Sequence, residues 1–206
     1  MRAAAPGGRE AGQALPIYLT AVAGLLFLAF AFFVVAQVAV VRNGSQSAAD
    51  AAALAAARDA REQLRGRLIN QLSVPPSWPA LVQGVGLVDP AACQQARSFA
   101  ARNRSDALAG DEGCHPIPGP RTGFGVKVRA RKGIGSTLLP IEDKHAEAKA
   151  TAVIRPRCVL LPPPPNDGHL HLGCAGGRSW DIDPHAPAVP GSLPSAADLY
   201  AVRLTD

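Results

Sequence analysis

A long run without any charged side chain dominates the first quarter of the chain. Residues 14–41 contain no Asp, Glu, Lys or Arg, and Tyr18, Thr20 and Gln37 are their only strongly polar side chains. A helix needs about 20 apolar residues to cross the hydrocarbon core of a bilayer, and residues 17–41 supply 25. The run therefore predicts one membrane-spanning helix over residues 17–41.

A cleavable secretory signal is the alternative interpretation of this run. Such signals have a shorter apolar core, of about 7–15 residues, which is followed by a cleavage site with two small residues. Ala39 could end such a site, but Gln37 occupies the other position that requires a small side chain. We therefore expect an uncleaved signal anchor, preceded by a cytoplasmic leader over residues 1–16.

The segment that follows the run is rich in alanine, with nine Ala between residues 48 and 60. Alanine has the highest helix propensity, so residues 42–72 predict an Ala-rich juxtamembrane helix. This helix either restarts after a kink at Asn43-Gly44 or continues directly from the membrane span. Its small side chains would let a second helix approach closely, although a plain alanine-rich stalk explains the composition as well.

The four cysteines all lie after the predicted anchor. An even number of cysteines in a segment outside the cytoplasm favours disulfides. We favour Cys93–Cys114 and Cys158–Cys174, because each pair closes a short loop, and each closure would stabilise the fold by about 3 kcal/mol in the loop-entropy model. Disulfides place the C-terminal part outside the cytoplasm and the N-terminus inside.

We predict that residues 73–161 form a small α+β extracytoplasmic domain. Helical sequence runs from about Pro90 to Leu108. Two later segments, residues 124–131 and 147–155, alternate apolar and polar side chains and predict an antiparallel β-hairpin with Lys and Glu on its wet face.

Residues 162–206 begin with four consecutive prolines and are rich in turn-forming residues, so we predict a Pro-rich linker and a mobile tail. The fold class as a whole is therefore α+β. A long N-terminal membrane helix continues into an Ala-rich helix, and a small disulfide-braced part with a hairpin and Pro-rich loops follows.

Catalytic and nucleic-acid-binding functions find little support in the sequence. The net charge of +5 comes from scattered arginines rather than from a cluster with interleaved aromatic residues. The chain contains no G-x-S-x-G, HExxH or phosphate-binding glycine loop. We therefore predict no enzyme activity, no nucleic-acid partner, no cofactor and no metal. The alternative for the metal is a site formed by His169, His171 and Cys174 in "HLHLGC".

The N-terminal third resembles a known family. "REAGQALP", a single spanning helix and then "NGSQSAADAAALAAA" are similar to the start of TadE/TadG-like proteins of Flp (type IVb, tight-adherence) pilus assembly. "KHAEAKATAVIRPRC" resembles a strand found in the versions from high-GC Gram-positive bacteria. The residues that carry the resemblance are Gln46, Ala48, Ala49, Asp50, Ala51, Ala52, Ala53, Leu54 and Ala55.

The resemblance implies a non-enzymatic, single-pass component of a pilus-assembly or secretion machine in the cell membrane. Its partners would be membrane lipid, other membrane proteins of that machine and a second copy of the chain. We expect partner helices to pack on the Ala-rich helix, at Gln46, Ala49, Asp50, Ala52, Ala53, Leu54 and Ala56. The alternatives are an extracellular binding module without a pilus role and a metal-dependent envelope enzyme.

Overall fold

The structure of the protein is a computed structural model, and its α+β architecture confirms the predicted fold class. The structure describes residues 14–86, 89, 91–117, 122–133, 144–162, 168–186 and 191–205. Residues 1–13 of the predicted leader and residues 163–167 of the predicted linker lie outside these ranges.

A single helix, α1 (Ala14–Asn70), forms the axis of the molecule. Its 57 residues span about 85 Å. The helix passes through Asn43-Gly44 without interruption, so of the two possibilities left open by the sequence the structure shows the direct continuation. The hydroxyl of Ser45 supports this turn by donating a hydrogen bond to the Val41 carbonyl at 2.9 Å.

The main sheet has five antiparallel strands. They are β1 (Ser105–Ala107), β2 (Cys114–Pro116), β3 (Gly123–Gly133), β4 (His145–Pro156) and β8 (Tyr200–Thr205). The strand order is β1-β3-β4-β8, and β2 pairs with the same edge of β3 as β1 does, beside the first residues of β3.

A second, three-stranded sheet consists of β5 (Cys158–Leu160), β6 (Leu170–Cys174) and β7 (Arg178–Ile182), also antiparallel. Three further α-helices complete the described elements: α2 (Trp78–Val82), α3 (Ala92–Arg102) and α4 (Ala196–Leu199). Two 3₁₀ turns lie at Pro75–Ser77 and Gly110–Glu112.

The core forms where the C-terminal half of α1 lies between the main sheet and α3. Phe124, Val126 and Val128 of β3 point from one face of the sheet into this core, as their alternation requires. Tyr200 at the start of β8 is fully buried, and its hydroxyl donates to the Leu81 carbonyl at 2.7 Å. Burial raises the pKa of the Tyr200 phenol.

The predicted hairpin is confirmed. β3 and β4 pair antiparallel with Val128 opposite Ala148 and Arg129 opposite Glu147. On the solvent face the Glu147 carboxylate lies 3.0 Å from Lys127 Nζ and 2.7 Å from Arg129. These contacts between cation and carboxylate lower the pKa of Glu147 below its ordinary value, chiefly through the hydrogen bond from Arg129.

The helix predicted to end near Leu108 is shorter in the structure. α3 ends at Arg102, and Arg104 takes a left-handed backbone conformation with φ of 57°. The chain then enters β1, where Ser105 is buried and pairs with Ala130. Pairing with the edge of β3 therefore overrides the helix propensity of these residues.

Within residues 162–206, predicted as a Pro-rich linker and mobile tail, much of the part that the structure describes forms regular elements. The segment contains β6, β7 and α4, and its last strand, β8, pairs with β4 over six residue pairs. Ser195 and Asp198 form a reciprocal capping box that begins α4. Turn-forming residues between short strands resemble a disordered segment in composition, so the sequence did not predict these strands.

Candidate functional site

The most unusual surface of the protein is the N-terminal half of α1. We call residues 15–44 the stem and the described residues from 45 onward the head. Large apolar side chains of the stem are exposed, with Phe27 at 71% and Phe32 at 73% of their full accessible area. Among the described residues, α1 is the one helix that is long and apolar enough to cross a membrane. These features support a single-pass membrane anchor.

The hydroxyl group of Thr20 in the stem is compatible with an apolar environment. The Thr20 hydroxyl donates to the carbonyls of Pro16 and Ile17, each at 3.0 Å. The helix itself satisfies the backbone amides, which is the condition for placing a single segment in hydrocarbon. Thr20 therefore adds little cost to insertion of the stem.

A cleft of about 430 Å³ lies where the stem enters the head. One wall is an apolar face of the stem, and the other carries the cationic side chains of Arg104 and Lys132, both exposed at the ends of α3 and β3. The cleft therefore joins an apolar surface to a positively charged one. Its lining residues are Phe33, Ala36, Gln37, Val40, Val41, Gly44, Ser45, Asn103, Arg104, Ser105, Ala130, Lys132 and Gly133.

The alanines that the sequence predicts as a surface for partner helices lie inside the head. Ala49, Ala52, Ala53 and Ala56 have no exposed area, because the main sheet and α3 cover them. Leu54 is half-buried and packs against the same core. The helix packing that the alanines permit is thus made within the chain, and packing of a partner on them stays a prediction.

The two polar members of that set form a local bridge. The side-chain amide of Gln46 donates to the Asp50 carboxylate at 2.9 Å and to the backbone carbonyl of Lys149 at 3.2 Å. Lys149 belongs to β4, so Gln46 joins the beginning of the buried half of α1 to the sheet. In the folded chain these residues connect the helix to the sheet.

Both disulfides favoured from the sequence are present. Cys93 of α3 is bonded to Cys114 of β2, and Cys158 of β5 to Cys174 of β6. The first disulfide joins the helix that covers α1 to the sheet. The second joins residues that already face each other in the β5–β6 register. All cysteines are thus in the head, and none is free.

The alternative metal site is corrected by this pairing, because the thiol of Cys174 is consumed in a disulfide. Instead, Asp181 of β7 lies beside His169 and His171. One potential ligand atom of each of these three residues lies within 4.8 Å of the other two. Asp183, two residues after Asp181, accepts a hydrogen bond from the His185 backbone amide at 2.8 Å.

Sequence reasoning missed Arg104 and Lys132 at the cleft, and it did not place Asp181 beside the histidines. No local signal marks the two cations, since only the fold brings the ends of α3 and β3 to the stem. Asp181 has a signal: "HLHLG" and "SWDID" each alternate like strands, and pairing them places a carboxylate opposite an imidazole.

Comparison with known proteins yields a match at the N-terminus. Residues 12–59 match the model of a family described as Flp pilus-assembly TadE/G-like. No curated protein and no solved structure matches the chain significantly. The family match covers the stem and the alanine-rich part of α1 and ends before the sheet. Over these residues the chain is similar to the TadE/G-like family of Flp pilus assembly.

Proposed function

We propose that the protein is a non-enzymatic membrane component of a pilus-assembly or secretion machine, similar to a minor pseudopilin or to TadG-like subunits. One observation carries this proposal: from residue 14 onward the segment that matches the family lies in α1, whose first half is apolar and exposed and whose second half packs in the core of the head. Because the helix is continuous, a partner bound to the stem would be connected rigidly to the head.

The stem supplies the surface for lipid and for partner helices. Its small residues Ala21, Gly24 and Ala29 would let another helix come close within the bilayer. A Cβ atom added at Gly24 would meet no atom within 4 Å, so this surface is not covered by the chain itself. Partner contact through the stem is proposed beside the predicted contact at the Ala-rich helix, and the partner could be a second copy of the chain.

We propose that the head lies outside the cytoplasm and the N-terminus inside. Two disulfides support this orientation, because thiols remain reduced in most bacterial cytoplasms. Arg104 and Lys132 at the cleft lie where the stem meets the head, at the level where lipid phosphates would attract cations. We expect the head to rest close to the membrane surface.

Photo-crosslinking in cells that encode the whole machine tests the proposal. A photoreactive amino acid at Leu25 of the stem should form a crosslink to a membrane protein of the machine or to a second copy. The same amino acid at Val159, which is exposed on the head, serves as the matched position. If position 25 yields only lipid adducts while the chain is stable in the membrane, the proposed assembly role is wrong.

An extracellular binding module is the second candidate, because the buried part of α1 begins at Ser45. Cleavage near Ala39 would leave the core of the head intact. Intact-mass analysis separates the candidates: the pilus-component proposal predicts that the membrane-bound chain retains the stem. A soluble product that starts near Val40 would favour the released module.

A further inference from the structure

We propose that His169, His171 and Asp181 form a binding site for a transition-metal dication of the Zn²⁺ class on the second sheet of the head. This inference stands apart from the proposed function, since it depends only on the β6–β7 hairpin. It assigns a role to residues that neither the stem nor the main sheet uses.

The register of the hairpin brings the three side chains to one face. Leu170 and Leu172 of β6 are fully buried, and Ile182 of β7 exposes only 4% of its full accessible area. Because successive side chains of a strand point to opposite faces, burial of these residues turns His171 and Asp181 outward. The two face each other directly in the β6–β7 pairing.

His169 completes the group from the start of the same strand. It lies two residues before His171, and its Nδ1 is 2.9 Å from Oδ1 of Asp181. Nδ1 of His171 is 3.7 Å from the same oxygen, and the two imidazole rings stack at 6.1 Å between centroids. Two imidazoles thus converge on one carboxylate, which an ordinary surface ion pair does not require.

The distances suit a tetrahedral metal. With bonds of about 2.0–2.2 Å, neighbouring ligand atoms around Zn²⁺ are separated by about 3.3–3.5 Å. The three ligand atoms already lie within 4.8 Å of one another, so small side-chain rotations would bring them to these separations. Nitrogen and carboxylate ligands together match the preferences of Zn²⁺ rather than those of Mg²⁺ or Ca²⁺.

The proposed metal site is held by a disulfide and a buried core on one side and is open to solvent on the other. The disulfide between Cys158 and Cys174 and the buried leucines hold β6 in place. The side chain of His171 is 17% exposed, that of His169 35% and that of Asp181 64%. Three protein ligands with access to solvent leave a fourth position for water or for a donor from a partner.

Zinc titration of the full chain tests the site. The protein, purified in detergent without a histidine tag and treated with EDTA, is titrated with ZnCl₂ by calorimetry. We expect one equivalent to bind and the unfolding temperature of the head to rise, since the ion binds the folded state. In His171→Ala and Asp181→Asn the affinity should fall by at least about tenfold.

A matched control and a second probe keep the result interpretable. His185→Ala removes an exposed histidine of the same region and should bind zinc like the natural chain. Co²⁺ should give the visible absorption of a tetrahedral complex without a thiolate band. Absence of stoichiometric zinc, or unchanged affinity in a folded His171→Ala variant, would overturn the proposal.

Discussion

The two halves of α1 have opposite relations between side-chain size and burial. In the stem the large residues are exposed, as Phe27 is at 71%, while in the head the helix has nine Ala between residues 48 and 60, and Ala56 has no exposed area. A helix in a water-soluble protein buries its large residues and exposes its small or polar ones. The stem inverts this pattern because its expected surroundings are lipid.

The alanines have a different physical reason. Between residues 48 and 60 the helix is covered on more than one side, by the main sheet and by α3. Small side chains allow both neighbours to approach the helix backbone closely, and larger ones would force them apart. The alanine-rich signature of the matched segment therefore specifies the core of the head, while the apolar run before it specifies an anchor.

Charge in the stem should have the largest effect on this comparison. Leu28→Arg combined with Phe30→Arg places two cations near the middle of the span, at a cost of about 2.5–3.5 kcal/mol each on the insertion scale. We expect most of the chain to leave the membrane fraction, as measured by carbonate extraction. Val159→Arg on the exposed surface of the head is the control and should leave the fractionation unchanged.

Removal of a disulfide should affect the head and leave the stem unaffected. Cys158→Ser with Cys174→Ser opens a loop with a sequence separation of 16, and the expected loss of unfolding free energy is about 2–4 kcal/mol. Denaturant unfolding in detergent, followed by near-ultraviolet circular dichroism, measures it. Membrane fractionation should remain that of the natural chain; a parallel loss of attachment would show that the two halves are not independent.

The same substitution in the two halves gives the sharpest contrast. Ala56→Leu forces extra volume into a closed core and should destabilise the head by about 1–3 kcal/mol. Ala29→Leu, at an exposed stem position, should leave the stability of the head unchanged. Unfolding midpoints of the two variants decide the matter, and equal midpoints would refute the assignment of the alanines to the core.

Acid should weaken the head only. A hydrogen bond from Ser195, with further help from Arg178, holds the pKa of Asp198 below its ordinary value of 3.8. Near this pH the unfolded chain binds more protons than the folded one, so stability is lost as pH falls through the folded-state pKa. Asp198→Asn should reduce the acid dependence of the unfolding midpoint. If the unfolding midpoint of Asp198→Asn depends on pH as steeply as that of the natural chain, this carboxylate contributes nothing to the acid sensitivity of the head.

Regular patterns made parts of the fold predictable from the sequence. Alternation over residues 124–131 and 147–155 predicts the hairpin because its period follows directly from strand geometry. The uncharged run predicts the stem because the thickness of a bilayer sets the length of a helix that spans it. Short loops favoured the two disulfides that the structure contains.

Long-range contacts explain what the sequence left undetermined. Nothing near residues 48–60 states whether their alanines face a partner or the chain's own sheet, since β3 and β4 come more than 60 residues later. Likewise, β8 forms a strand because it pairs with the edge of β4. Its first residue, Tyr200, is fully buried. The cluster of His169 and Asp181 depends on a pairing register that only the folded hairpin fixes.

Continuity of α1 from the stem into the head is the central claim, and a distance across Asn43-Gly44 tests it most directly. Spin labels introduced as non-natural amino acids at Leu25 and Arg58, both exposed, leave the disulfides intact. In proteoliposomes, pulsed electron paramagnetic resonance should give one narrow distribution at about 50 Å, the length of an unbroken helix between them. A broad distribution, or one centred well below that distance, would contradict the account.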